Sequence, residues 1–197
     1  MKKEGTLTLA IVILIVTSIA GIAYAHWTGQ VEVKVTAYIG CFTIRFINPL
    51  ECSDNEATKN IGLSNCYYTE PDPIEGYKKL VIQISNAYPD YTVDCNFTIK
   101  NIGTTISTIT NISITDPEEK LRWKWITQYT EGFLWQDLNE NDVYDPGEEI
   151  IYITITDLVN VSLNPGQIRK AEITTKILAN AEECHSYGFE VSIEYES

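Results

Sequence analysis

Residues 137–148 are the part of the chain whose residue types and spacing point most clearly to chemistry. Counted from Asp137, oxygen-bearing side chains stand at positions 1, 3, 5, 9 and 12, and position 7 offers a backbone carbonyl. The residues at these positions are Asp137, Asn139, Asn141, Asp145 and Glu148, with Val143 at position 7. This is the ligand order of an EF-hand-type loop, in which alternate residues surround one hard cation and the last carboxylate supplies two oxygens. The spacing therefore predicts a structural calcium site.

Position 6 of this acidic loop departs from the EF-hand pattern, because it holds Asp142 where glycine usually makes the sharp turn. Aspartate adopts the left-handed backbone conformation more readily than most residues, so the substitution weakens the match without breaking it. The flanking residues have no helical period, so we expect an isolated loop between strands that binds calcium for rigidity, at ~10⁻⁴–10⁻³ M. The alternative is an acidic, solvated loop closed by Asx turns without a metal.

Five cysteines indicate a second kind of chemistry, namely disulfide formation: Cys41, Cys52, Cys66, Cys95 and Cys184. No pair has CxxC spacing, which disfavours zinc ribbons and thioredoxin-like redox sites. In an oxidising compartment disulfides are the default, and the odd count leaves one thiol free or paired between chains. Proximity along the chain predicts a Cys52–Cys66 bridge that closes a long polar loop at residues 50–75. Cys95 lies on the apolar face of its strand, as either a buried bridge or an inert thiol.

Sequence motifs for catalysis are absent. The chain has no HExxH, no GxSxG and no glycine-rich phosphate loop. Cys184 and His185 are adjacent in sequence, which is a poor geometry for a nucleophile and its base. Trp123, Trp125 and Trp135 precede the acidic loop. They are a candidate platform for carbohydrate, although such residues more often pack a core or an interface. The sequence therefore predicts a protein that is not an enzyme.

The composition is that of an acidic globular protein. The chain has 197 residues, with 14 Lys and Arg against 27 Asp and Glu, and a formal net charge of −13. Nucleic acid is therefore excluded as the expected partner, because binding phosphates needs a basic face. A hydrophobic fraction of 44% predicts one domain with a proper core.

The N-terminus has the pattern of an export signal. Lys2 and Lys3 precede an uncharged apolar run at residues 7–25, which ends in Ala23-Tyr24-Ala25. This small-x-small ending predicts a signal peptide at residues 1–25 and a mature single domain at residues 26–197. Two alternatives stay open. The run is long enough to remain as a membrane anchor, which would be the only membrane contact, or a type IV pilin-like cleavage after Gly5 would keep it as a filament-core helix. All three place residues 26–197 outside the cytoplasm, secreted or on the cell surface.

Three N-x-S/T sequons agree with export and begin at Asn96, Asn111 and Asn160. Each falls where a side chain is expected to point outward, so we predict glycosylation at these asparagines. The alternative is that they are ordinary strand and turn residues.

The mature chain has the period of β-strands nearly throughout. Apolar and polar residues alternate at residues 31–35, 80–85, 91–100, 111–114, 151–156, 173–177 and 189–195. Turn signals such as Asn101-Ile102-Gly103, Asp116-Pro117 and Asn164-Pro165-Gly166 separate these runs. Short strands with one buried face predict an all-β fold, an antiparallel two-sheet sandwich.

Several segments together resemble the TasA/camelysin-like surface proteins and their archaeal relatives, the bundling-pilus and thread subunits. The segment Ala23-Tyr24-Ala25 followed by His26-Trp27-Thr28-Gly29 is similar to the processing region of that family, and residues 31–40 to its first strand. Residues 91–114 resemble its strand–N-x-G-T–strand hairpin, residues 163–167 its L-x-P-G turn, and residues 186–195 its closing strand. The cysteines and the polar segment 50–75 depart from the family pattern.

The resemblance implies a jelly-roll or immunoglobulin-like sandwich that is secreted and assembles into a pilus or fibre. In such filaments the N-terminal strand of one subunit completes the sheet of the next, giving a head-to-tail homopolymer. Here the donor strand would be residues 26–37, with Val31, Val33 and Val35 as the inserted stripe. Camelysin relatives have been called peptidases, but the metalloprotease motif is missing, so no such activity is expected. The alternative function is a monomeric adhesion module that binds surface glycans through the tryptophan region.

Overall fold

The computed structural model describes residues 11–18, 40–56 and 61–197. The chain divides into two units between Ile39 and Gly40. In the first unit, residues 11–18 form a short helix with exposed side chains. Among the residues described, no helix has both the length and the apolar character needed to cross a membrane. The predicted cleavage site after Ala25 and the predicted donor strand at residues 26–37 lie outside the described residues.

Within its described residues, the second unit has eleven strands joined into one curled, antiparallel sheet. In chain order the strands are β1 (Ile44–Asp54), β2 (Leu63–Pro71), β3 (Tyr77–Ala87), β4 (Thr92–Asn101), β5 (Ser107–Thr115), β6 (Arg122–Thr127), β7 (Glu131–Trp135), β8 (Glu149–Ile155), β9 (Ser162–Leu163), β10 (Ile168–Ile177) and β11 (His185–Glu196). The predicted all-β, antiparallel fold is confirmed.

The order of strands in the sheet is β6–β7–β8–β10–β4–β1–β3–β11–β5–β9, and β2 pairs with β3. β1 connects the two halves of this sheet. It pairs with β4 along much of its length, but with β3 only where Phe46 faces Tyr77. Among the described strands, β2, β6 and β9 each pair with a single neighbour. These three strands are therefore edges.

The core consists of the apolar faces of the central strands. In β4, the side chains of Val93, Cys95, Phe97 and Ile99 are almost completely buried, whereas Asn96 between them is exposed. Each fully buried large apolar side chain contributes about 1.5–3 kcal/mol relative to an exposed one. The same alternation, read from the sequence, predicts strands at residues 80–85, 151–156, 173–177 and 189–195. These fall in β3, β8, β10 and β11, except that β8 ends one residue earlier, at Ile155.

The predicted long loop at residues 50–75 is wrong for most of its length. The first part continues β1 to Asp54, and Leu63–Pro71 forms β2 along the side of β3. This segment is polar because much of it forms a strand at the edge of the sheet. β2 is an edge strand whose side chains alternate only between exposed and half-buried positions, so its sequence carries few fully apolar residues.

The start of the second unit is fixed against the turn between β4 and β5. The carbonyl oxygen of Cys41 accepts hydrogen bonds from the backbone N–H groups of Thr104 and Thr105 at 2.6 and 3.1 Å. Gly103 allows this approach, because a Cβ at that position would lie 2.3 Å from the carbonyl oxygen of Cys41. The chain therefore enters the sheet at the Asn101–Gly103 turn that the sequence predicts.

Candidate functional site

The acidic loop is the connection of a β-hairpin. Trp135 at the end of β7 pairs with Glu149 at the start of β8, and the backbone N–H of Gln136 donates to the carbonyl oxygen of Glu148 at 3.0 Å. The predicted position of the loop between strands is therefore confirmed. Because the two strands meet at its base, residues 137–148 must turn back on themselves within a short span.

Glu148 holds the base of this loop. Glu148 is only 4% exposed. Its two carboxylate oxygens accept hydrogen bonds from the backbone N–H groups of Leu138 and Asp145, at 3.1 and 2.9 Å. A buried carboxylate needs such donors, because an unpaired charge away from water is costly. The twelfth position of the predicted pattern thus ties both ends of the loop together.

The side chains at positions 3, 5 and 9 converge. The amide nitrogens of Asn139 and Asn141 both donate to one carboxylate oxygen of Asp145, at 2.8 and 2.9 Å. These two hydrogen bonds, that of Asn139 first, lower the pKa of Asp145 below its ordinary value. At position 1, the two oxygens of Asp137 accept from the backbone N–H groups of Asn141 and Asp142 at 3.1 and 2.7 Å.

The turn at position 6 has the backbone conformation that the sequence predicts. Asp142 has a φ of 62°, and Glu140 has a φ of 58°, so both occupy the left-handed region. At position 7, the backbone N–H of Val143 donates to the side-chain oxygen of Asn141 at 2.7 Å. The loop thus bends at the aspartate that replaces the usual glycine.

Cationic side chains from β6 flank the acidic loop. Arg122 contacts a carboxylate oxygen of Asp142 and lies 3.7 Å from one of Asp137. The ammonium group of Lys124 lies 3.7 Å from the centre of the Tyr144 ring, whose hydroxyl donates to Glu149. These contacts join the loop to the end strand of the sheet, and no motif in the sequence indicates them.

The donor set of the loop suits a hard divalent cation. Three carboxylates and two amides gather within one turn, and calcium prefers such oxygens. The same side chains also close the loop through their own hydrogen bonds, as the Asx-turn alternative expects. Calcium therefore stays a prediction, with Asp137, Asn139, Asn141, Asp145 and Glu148 as its side-chain ligands and Val143 as its carbonyl ligand.

The cysteines form a cluster of three rather than the predicted pair. Cys52 of β1 lies directly opposite Cys95 of β4, and the two form a disulfide. The predicted Cys52–Cys66 bridge is therefore wrong, because strand register and not proximity in sequence brings the sulfurs together. Cys66 nevertheless belongs to the same cluster, since its Sγ lies 2.8 Å from the Sγ of Cys95. Cys41 and Cys184 are free and exposed.

The tryptophans pack against the sheet. Trp135 is buried, and Trp123 and Trp125 are half-buried with their rings perpendicular at a centroid distance of 4.8 Å. Two perpendicular rings do not form the flat platform on which sugars stack. A pocket of about 470 Å³ on the described surface has a lining that includes Glu118 and His185 but none of these three tryptophans.

The three sequon asparagines occupy different surroundings. Asn96 is exposed on β4, and Asn160 is exposed in the turn before β9. Asn111 on β5 is half-buried. Asn96 and Asn160 thus point outward as expected, and Asn111 is only partly accessible. Glycosylation at these asparagines stays a prediction.

Comparison of the chain with protein-family models, with curated proteins and with solved structures finds no match. The resemblance to TasA/camelysin-like fibre proteins therefore stays a prediction carried by the residues of this sequence.

Proposed function

We propose that this chain is an extracellular structural subunit that polymerises head to tail into a cell-surface filament. In this proposal residues 26–37 leave one subunit as an extended strand and add to the sheet of the next. Main-chain hydrogen bonds supply the affinity of such strand addition, and alternate side chains set its register. Because the contact is heterologous and does not close on itself, it generates an open polymer rather than a ring or dimer.

The observation that carries this proposal is the open edge of β6. This strand ends the sheet and, among the described strands, pairs only with β7. An edge of this kind presents unpaired backbone N–H and C=O groups, which are a template for another strand. Ile126 on this edge is 56% exposed, so its side chain is open to contact with an added strand.

The side chains of β6 fit the donor segment. Trp123 and Trp125 face the core side of the sheet and are only half-buried, with Trp123 packed over Gly132 of β7. A strand added beside them with Val31, Val33 and Val35 on the same face would cover the exposed parts of these rings. The apolar residues of the donor strand, which alternate with polar ones, would thus extend the apolar face of β6.

The same proposal assigns the sheet a two-layer form. We infer that β6–β7–β8–β10–β4–β1 acts as one layer and β2–β3–β11–β5–β9 as the other, because the two sets are joined by the single Phe46–Tyr77 pair. Glycans at the sequons, calcium in the acidic loop and the disulfide would stiffen this subunit in the filament.

The experiment is to image material sheared from the native cell surface and to identify the fibre protein and its N-terminus by mass spectrometry. Fibres of this chain that begin at His26 are the expected result. Fibres that begin at Thr6 would contradict strand donation and favour the pilin-like alternative. A soluble monomer without fibres would contradict the filament and favour the adhesion module.

A pair of matched variants tests which face of the donor strand is used. In purified protein that begins at His26, Val33→Asp should abolish polymerisation, because it places a charge in the apolar stripe. Lys34→Asp introduces the same residue one position further on, on the opposite face, and should leave polymerisation intact. If the two variants behave alike, the segment does not insert as an alternating strand.

A matched pair on the acceptor side tests the edge itself. Ile126→Lys places on β6 the kind of charge that natural edge strands use against pairing, and it should abolish polymerisation. Ile74→Lys changes an isoleucine that is 82% exposed in the turn between β2 and β3, and it should have no effect. Polymerisation by Ile126→Lys at the rate of the unchanged protein would remove β6 from the proposal.

A further inference from the structure

Three cysteine sulfurs meet at one place in the fold. The Sγ atoms of Cys52, Cys66 and Cys95 all lie within 4.8 Å of one another. The disulfide joins Cys52 to Cys95, and the Sγ of Cys66 lies 2.8 Å from that of Cys95. A thiol held this close to a disulfide sulfur is in position to attack it.

The three residues differ in exposure and in the strands that carry them. Cys95 is completely buried in β4, at the centre of the sheet. Cys66 is half-buried on β2, opposite Ile82 of β3, and packs against the core. Cys52 is exposed on β1. Cys95 thus has one neighbouring sulfur on an exposed residue, Cys52, and another on a half-buried residue, Cys66.

We propose that these residues form a thiol–disulfide exchange site in which Cys95 changes its partner from Cys52 to Cys66. The Cys66 thiolate attacks the Sγ of Cys95, so a Cys66–Cys95 bond forms as the Cys52–Cys95 bond breaks. Cys52 leaves with the electron pair as a thiolate and takes up a proton from water, which balances the proton that Cys66 gave up. The exchange has no net oxidation or reduction, so it needs no external oxidant.

The two disulfides connect different parts of the fold. Cys52–Cys95 joins neighbouring strands, β1 and β4, which already pair through their backbones. Cys66–Cys95 would join β4 to β2, an edge strand that pairs with β3 and not with β4. The exchange therefore ties the edge strand to the centre of the sheet and delivers a thiol, Cys52, to the surface. That thiol could then attack a low-molecular-weight disulfide and form a mixed disulfide, with the other half of the small molecule leaving as a thiol.

The exchange is expected to be slow. Burial raises the pKa of the Cys66 thiol to about 12, so the attacking thiolate is scarce at neutral pH. Uncatalysed disulfide rearrangements take minutes to hours even without this restraint. Both isomers should therefore be separable by trapping.

The test traps free thiols in the folded protein. A full chain with Cys41→Ser and Cys184→Ser keeps only the three clustered cysteines, and it is incubated with N-ethylmaleimide, quenched in acid, digested and mapped by mass spectrometry. The expected result is that label accumulates on Cys52 with time, together with a Cys66–Cys95 linked peptide. A Cys52–Cys95 peptide alone at every time, label on Cys66 alone, or three labelled thiols would each overturn the proposal.

Two single substitutions in that background separate exchange from simple exposure. Cys66→Ser removes the attacking thiol, so Cys52 should stay bridged and unlabelled. Cys52→Ser removes the present partner, so Cys66–Cys95 should form during oxidative folding. If Cys66→Ser does not fold, as circular dichroism will show, the Cys52→Ser arm decides. Two free thiols at Cys66 and Cys95 in folded Cys52→Ser protein would overturn the proposal.

Discussion

β4 and β6 lie in the same curled sheet but differ in what surrounds them. β4 pairs with β1 on one side and β10 on the other, and its inward side chains are almost fully buried. Within the part of the chain that the structure describes, β6 pairs only with β7, and its residues are exposed or half-buried. We propose that this difference separates stability from assembly: the buried centre of the sheet holds the subunit together, and the unpaired backbone of the edge is available to a partner strand.

The largest expected effect is on the centre of the sheet. Phe97→Ala in β4 should lower the free energy of unfolding by about 3–5 kcal/mol, because it leaves a cavity where the ring is now 1% exposed. Ile126→Ala in β6 should change it by no more than about 0.5 kcal/mol. Urea denaturation of both variants measures the contrast, and equal losses would contradict the division between centre and edge.

A smaller effect is expected where β6 rests on β7. A Cβ at Gly132 would lie 2.4 Å from the Trp123 ring and 2.6 Å from the carbonyl oxygen of Lys124. Gly132→Ala should therefore cost about 1–3 kcal/mol and displace the edge strand. Gly188→Ala in β11 is the matched control, since its nearest contact would be an ordinary 3.5 Å. Similar melting temperatures for the two variants would show that the packing of Trp123 on Gly132 does not fix the position of β6.

The acidic loop beside the edge should respond to calcium. At a calcium concentration ten times the dissociation constant, binding would stabilise the folded protein by about 1.4 kcal/mol, which is a rise of a few degrees in melting temperature. The double variant Asp137→Ala with Glu148→Ala should lose the difference between calcium and EDTA, and Asp157→Ala, an exposed aspartate before β9, should keep it. Identical melting curves of the unchanged protein in calcium and in EDTA would contradict calcium binding by this loop.

The smallest effect expected is on acid stability at the start of β8. The hydrogen bond from Tyr144 lowers the pKa of Glu149 below its ordinary value of 4.5. A carboxyl group with a lowered folded pKa contributes stability that is present above about pH 4.5 and is lost as the pH falls through the folded value. Because the group is partly solvated, the contribution should stay below about 1 kcal/mol.

The measurement for this group compares melting temperatures from pH 6 to pH 3. Glu149→Gln should lower the melting temperature at pH 6 and should flatten its fall below pH 4.5. Glu183→Gln, at an exposed position, serves as the control and should follow the unchanged protein. A steeper fall in Glu149→Gln would contradict the assigned direction of the pKa shift.

The same contrast explains which strands the sequence can predict. In β4 the period-two pattern of apolar residues follows directly from burial of one face, so the strand and its inward residues were predictable. β2 and β6 carry weak patterns, since an edge strand buries little, and β2 was predicted as loop. The alternation in Trp123-Lys124-Trp125 is a signal that could have indicated β6.

Local spacing predicted the acidic loop better than the cysteine cluster. The ligand-type side chains of residues 137–148 are close in sequence, so a short pattern is enough to place them on one turn. The Cys52–Cys95 pair depends on the register of β1 against β4, and the approach of Cys66 depends on the pairing of β2 with β3. Such long-range geometry is set by the whole sheet and is not encoded in the spacing of the cysteines.

The most direct test of strand addition at the edge is amide hydrogen exchange in monomer and filament. Protein that begins at His26 is compared before and after assembly, with exchange followed residue by residue along the sheet. The backbone N–H groups of β6 should become protected on assembly, while those of β4 should stay protected in both forms. Unchanged exchange in β6, or new protection confined to the other edges, β2 or β9, would contradict the central claim.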